Sequence, residues 1–202
     1  MKTAGRPIGT TRVKKPILKN EFAKLINYTK GDDSIKEFTK SKYLKTFTLL
    51  YYSGCRISEL ISLKIEDLHT IFNTDELSLT NDTKTKKPRL IYFSTESVKE
   101  LKKIFVNELD SSNKNELLIR TKNKLYDKIN CIGYTAQLNA YIQTILGELY
   151  STHSFRQGIL TDMATKGINS KIIQQFIGHA SIGTTLRYVT PTEKDIRNAL
   201  VR

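Results

Sequence analysis

Four short stretches of this chain hold the residue types that phosphate chemistry needs. In "GCRISEL" Arg56 precedes Glu59 by three residues, which sets both on one side of a helix turn. In "THSFRQG" His153 and Arg156 repeat that i, i+3 spacing, and "NDTKTKK" offers Lys84, Lys86 and Lys87 on a polar turn. Near the end, "GHASIGTTLRYV" carries His179 and, nine residues on, Tyr188. Planar guanidinium forks match the oxygens of a phosphate, an imidazole moves protons, a lysine can protonate a leaving oxygen, and a tyrosine hydroxyl can attack. Each stretch also has a plain structural explanation. Arg56 and Glu59 read equally as a surface ion pair worth well under ~1 kcal/mol. The lysines read as a solvated turn, and Tyr188 is one of 10 tyrosines that packing alone could explain.

Other chemistries lack their signatures. The chain has no Gly-rich phosphate loop, no dinucleotide fingerprint, and no metal-ligand spacing around His69, His153 or His179. Charge on a phosphate would therefore be neutralised by protein cations. The balance of 33 Lys and Arg against 20 Asp and Glu gives a net charge of +13, which favours a polyanionic partner, most often nucleic acid. No apolar run approaches the ~20 residues that span a bilayer, and the N-terminus lacks the apolar core of a secretory signal. Cys55 and Cys131 stand far apart without redox or metal spacing. They read as two free thiols in a reducing cell interior, hence a cytoplasmic protein.

The elements that must position these residues are mostly helical. Residues 1–20 bear Arg6, Arg12, Lys14 and Lys15 among glycines and prolines, and read as a flexible basic arm able to contact DNA. After Pro16, Phe22, Leu25 and Ile26 form an apolar helical face. A polar linker over residues 29–41 leads to a second helix from about residue 40, on which Tyr43, Leu44, Phe47, Leu50 and Tyr51 recur. Gly54 ends it, and "RISELISL" restarts a short one. "ELSLT" and "PRLIYFS" read as two strands of a hairpin with a lysine-rich tip. Ser94 can cap a helix reaching about Leu109, and "LLIR" reads as one more short strand. From Cys131 onward the pattern is helical, with Gly167 at a helix end and Asn169 or Ser170 capping the next. The expected fold is mainly α with a small antiparallel sheet.

Taken in order and with their surroundings, the four stretches closely resemble the catalytic domain of the tyrosine recombinases, the phage integrase family. "YYSGCRISELISLKIEDL" is similar to the family's first-arginine segment and "TKTKKPRLIYF" to its lysine hairpin. "THSFRQGILTDMATKG" is similar to its HxxR helix, and "IIQQFIGHASIGTTLRYV" to its histidine-to-tyrosine segment. The resemblance covers about residues 16–195. It implies a site-specific recombinase that cuts and rejoins double-stranded DNA through a 3′-phosphotyrosine, without metal, ATP or other cofactor. Arg56 and Arg156 would clamp the scissile phosphate and Tyr188 would be the nucleophile. His153 would assist proton transfer, His179 would hydrogen-bond the phosphate, Lys84 (with Lys86 as runner-up) would protonate the leaving 5′-oxygen, and Glu59 would order the site. Lys86 and Lys87, with the arm, would contact DNA. The family also implies a homotetramer on paired sites, with the C-terminal tail, bearing Ile196, Leu200 and Val201, docked on a neighbouring protomer.

Three features depart from the family pattern. Gln157 follows the HxxR arginine where many members carry a second histidine. Pro88 unsettles the register of the hairpin lysine. A 20-residue arm ahead of a catalytic domain over residues 21–202 also leaves no room for a separate DNA-clamping domain. The expectation is a natural minimal recombinase, similar to those that invert fimbrial promoters or to Xer proteins, with an excised fragment as the other reading. The competing functions are a type IB topoisomerase-like strand transferase and an inactive DNA-binding regulator that kept the fold.

Overall fold

A computed structural model describes residues 14–79, 89–109 and 113–178 of the chain. The first helix, α1 (Lys19–Gly31), starts where Glu21 turns back to accept from the backbone N–H of Leu18 at 3.1 Å. Helix α2 (Glu37–Ser53) is central to the fold and buries Tyr43, Phe47, Leu49 and Leu50 together with three hydroxyl residues, Thr46, Thr48 and Ser53. Those hydroxyls donate to carbonyls one turn back along α2, so their burial leaves no donor unpaired. The linker between the two helices is shorter than the sequence suggested. The side chain of Asp32 accepts from both the backbone and hydroxyl of Ser34, making a tight local turn, and Glu37 already lies in the first turn of α2.

Gly54 ends α2 in the left-handed region at φ 60°, donating to the carbonyl of Leu50 at 3.0 Å. Helix α3 (Ile57–Leu60) is a single turn. Helix α4 (Ile65–Thr74), absent from the sequence reading, buries Ile65, Leu68 and Ile71 on one face. Strands β1 (Glu76–Leu79) and β2 (Arg89–Tyr92) pair antiparallel, with Leu77 opposite Ile91 and Leu79 opposite Arg89. Alternation sends Leu77, Leu79, Ile91 and Arg89 inward and leaves Leu90 and Tyr92 exposed.

Helix α5 (Thr95–Ile104) begins at Ser94, whose hydroxyl accepts from the backbone N–H of Ser97, as the sequence predicts. It does not run on to Leu109. The chain breaks at Phe105, which is fully buried, and resumes as the short α6 (Val106–Leu109). The apolar run at 117–119 is buried in the core but forms only an isolated bridge, Lys64 to Leu117, because its neighbour is the α3–α4 loop and not a strand.

Helices α7 (Cys131–Leu146), α8 (Thr152–Thr165) and α9 (Ser170–Ile177) complete the described residues. Gly167 at φ 71° follows α8, and Asn169 caps α9 by accepting from the N–H of Lys171. Inside the core, the hydroxyls of Tyr134 on α7 and Thr46 on α2 bond at 2.6 Å. A mainly helical fold with one small antiparallel sheet is therefore what forms.

Of the expected arm, residues 1–13, with Arg6 and Arg12, lie outside the described residues. Residues 14–17 are fastened down. Lys15 donates its N–H to Leu149, Ile17 donates its N–H to Ser154, and Lys14 Nζ reaches the carbonyl of Glu148 at 3.0 Å. Ile17 is fully buried, and its carbonyl lies so close to α8 that a Cβ at Gly158 would stand 2.1 Å from it. The segment entering the fold thus lies directly on the helix that carries His153 and Arg156.

Candidate active site

The left-handed turn at Gly54 brings the chain sharply out of α2 and sets Arg56 at the start of α3. Glu59, on the same turn, bends back to it. One carboxylate oxygen accepts from the Arg56 backbone N–H at 2.7 Å, and the other accepts from the Arg56 guanidinium at 3.0 Å. The pair is not the surface ion pair that the spacing alone permits. Glu59 is buried, while Arg56 is partly open to solvent and keeps donors free to face a ligand.

Helix α8 supplies the second cation. Arg156 is buried and donates one Nη to the carbonyl of Gly54 at 2.9 Å and the other to the carbonyl of Ile177, at the end of α9. His153 lies one turn earlier on the same helix. Arg56, His153 and Arg156 together line an open cleft of about 240 Å³, with Ser58, Thr135 and Thr152 on its walls. Three of the sequence-selected residues therefore share a cleft, with Glu59 behind them. Gln157, on the same helix, is not without a partner.

A residue the sequence reading passed over completes the cluster. Arg89, the first residue of β2, is buried beside Glu59. Its Nη2 donates to the Glu59 carboxylate at 2.6 Å and its Nη1 to the carbonyl of Phe176 at 3.0 Å. The signal was available: in "RLIY" the alternation that turns Ile91 inward also turns Arg89 inward, and a charge on the buried face of a strand requires a partner.

Two guanidiniums, Arg56 and Arg89, thus bond one carboxylate while that of Arg156 interacts with it through space, and the electrostatics carry the surplus of positive charge. The pKa of Arg156 is pushed down by burial first, and then by Arg56 and Arg89. That of His153 is also pushed down, by desolvation and then by Arg156 and Arg56, so its neutral form is favoured. A site strained by unbalanced cations is relieved by an anion, and a phosphodiester has the charge and oxygen geometry to supply it. Cys55 also borders the cleft, but burial raises its thiol pKa to about 11. It stays protonated near neutral pH and is a poor nucleophile.

Lys84, Lys86, Lys87, His179 and Tyr188 lie outside the described residues. The described chain leads to both groups from the cluster. Lys84 is five residues before Arg89 in the sequence, and His179 directly follows Gly178, which caps α9 in the left-handed region at φ 67°.

A family model described as "Phage integrase family" matches residues 15–195, and the chain belongs to that family. Tyrosine recombinase XerA of Pyrococcus furiosus is 33% identical over 154 residues, an alignment covering 76% of this chain and 52% of the relative. Tyrosine recombinase XerC of Treponema denticola is 29% identical over 167 residues, covering 75% and 52%. The chain spans about half the length of the curated relatives it matches. Among solved structures, XerH recombinase bound to its difH substrate superposes with a TM-score of 0.68 at 17% identity, covering 98% of this chain and 56% of that one. The catalytic domain of bacteriophage HP1 integrase gives 0.56 at 18% identity, covering 93% and 95%. Both likenesses are of fold.

Proposed function

We propose that this chain is the catalytic part of a site-specific DNA recombinase that cuts and rejoins duplex DNA through Tyr188. The observation that carries this reading is the open cleft that Arg56 and Arg156 share with His153. Membership of the integrase family and the net charge of +13 support it.

In the proposed reaction the two guanidiniums hold the non-bridging oxygens of the scissile phosphate and stabilise the charge that builds in the pentacoordinate transition state. The Tyr188 hydroxyl attacks phosphorus as neutral His153 accepts its proton. The new bond is phosphorus to tyrosine oxygen, and the bond broken is phosphorus to the 5′-oxygen, which leaves with a proton from Lys84. The 5′-hydroxyl of another strand then attacks the 3′-phosphotyrosine and releases Tyr188. The phosphodiester bond energy is conserved throughout, so the chemistry asks for no ATP. His179 hydrogen-bonds the phosphate. Lys14, Lys15, Lys86 and Lys87, with Arg6 and Arg12, bind the DNA backbone.

The protein works at the cell's DNA as a homotetramer on paired sites. A groove of about 850 Å³, lined by Phe22, Tyr51, Tyr52, Ile159 and Met163, suits the apolar residues Ile196, Leu200 and Val201 of a neighbouring protomer's tail.

The test is a nicked suicide-substrate assay on a pool of duplex fragments flanking the gene, with Tyr188→Phe as control. A covalent protein–DNA band that survives denaturation in wild type and is lost in Tyr188→Phe is the expected result. DNA binding without any adduct would turn the assignment to an inactive DNA-binding regulator. Relaxation of supercoiled DNA by the monomer would turn it to a type IB topoisomerase-like enzyme.

A further inference from the structure

We infer that Arg89 is a positioning residue of this site, tying the Arg56–Glu59 pair, the start of β2 and the end of α9 together. The inference rests on the recombinase reading for its consequence in catalysis, but its geometry stands independently.

The Glu59 carboxylate has two oxygens and three donors. One oxygen takes the Arg56 guanidinium, and the other takes both the Arg56 backbone N–H and Arg89 Nη2. Both side chains of the Arg89–Glu59 pair are only 5% exposed, so no water stands ready to replace either partner. Without Arg89 the second oxygen keeps a single backbone contact, the carboxylate can rotate, and the Arg56 fork loses its fixed reference.

The other end of Arg89 acts on α9. A helix C-terminus presents carbonyls with no intrahelical partner, and cations there are favourable. Here the carbonyls of two consecutive residues are each taken by a guanidinium, Phe176 by Arg89 and Ile177 by Arg156. The next residue, Gly178, has to be small as well as left-handed, since a Cβ there would stand 2.7 Å from Cδ of Arg89. Arg89 thus fixes the point from which the chain departs toward His179 and Tyr188. Being the first residue of β2, it also fixes the start of that strand at the same place.

A buried ion pair that served stability alone would alter folding and leave the chemistry untouched in whatever protein remained folded. A positioning residue alters the rate while DNA binding stays constant. Arg89→Met and Arg89→Lys should therefore be compared with wild type in DNA affinity and in the single-turnover rate of adduct formation. Arg89→Met is expected to bind DNA within about twofold of wild type and to form adduct about 30-fold or more slowly, with Arg89→Lys recovering part of the loss. A wild-type rate in folded Arg89→Met would overturn the inference.

The second arm needs no activity: side-chain Nε–Hε resonances of ¹⁵N-arginine-labelled protein, with Arg56 assigned by substitution. The Arg56 signal is expected to shift and broaden in Arg89→Met, and an unmoved signal overturns the inference. If wild type forms no adduct, the recombinase reading fails, and the Arg56 resonance by itself decides whether Arg89 orders the cluster. If Arg89→Met does not fold, Arg89→Lys carries both measurements, with a slower rate and a shifted Arg56 signal expected and wild-type values of both overturning it.

Discussion

The guanidinium of Arg156 donates to the backbone carbonyl of Gly54 at 2.9 Å, joining positions 102 residues apart in the chain. Gly54 is the left-handed residue from which the chain turns toward Arg56. One hydrogen bond therefore ties Arg156 to the turn that sets Arg56, so Arg156 has a structural duty in addition to the phosphate-binding role proposed for it.

Arg156→Lys is expected to lower the single-turnover cleavage rate by about 10²–10³-fold. An ammonium cannot hold both carbonyls, Gly54 and Ile177, and still present a planar fork to phosphate. Rate measurement on the suicide substrate, alongside calorimetry to show that the variant is folded, checks this.

His153 gives the pH dependence. Its pKa lies below the ordinary 6.5 because desolvation, Arg156 and Arg56 all oppose its charge. The unfolded chain therefore binds this proton more readily than the folded one, and stability falls as pH drops below 6.5 and levels off beneath the depressed folded value. Cleavage should decline only at lower pH, as His153 of the folded protein titrates through its depressed value, since an imidazolium cannot accept the tyrosine proton. His153→Gln should flatten the acid limb of the stability curve while lowering activity across the range, measured by urea denaturation and adduct formation from pH 5 to 8.

Gly158→Ala is expected to destabilise the protein by about 1–3 kcal/mol, because the new Cβ meets the backbone carbonyl of Ile17 at 2.1 Å and the entry segment must move off α8. Gly31→Ala, at the exposed end of α1 with nothing within 4 Å, is the contrast and should be neutral or stabilising by up to about 1 kcal/mol. Thermal melts of both variants check the pair.

Glu59→Gln removes the one carboxylate among three guanidiniums and should destabilise by about 3 kcal/mol, the scale of breaking a buried ion pair from one side. Added phosphate should recover part of the melting temperature by supplying the missing anion. Equal melts with and without phosphate would mean that the cluster does not bind the ion.

Much of this was legible in the sequence because it is local. The i, i+3 spacings of Arg56 with Glu59 and of His153 with Arg156 place each pair on one helical face wherever the helix goes. Ser94 and Asn169 announce helix starts, and Gly54 and Gly167 announce helix ends, because cap chemistry is settled within a few residues. The break at Phe105 and the failure of "LLIR" to form a strand were not legible. Burying Phe105 in the core outweighed continuation of the helix, and a strand needs a partner that only the packed chain can provide or withhold. The same distinction holds at the site. Its residue types are written in the sequence, and their order carries the family resemblance. That Glu59 is shared between Arg56 and Arg89, and that Arg156 reaches back to Gly54, depends on contacts across 30 and 102 residues, which only folding brings within hydrogen-bonding distance.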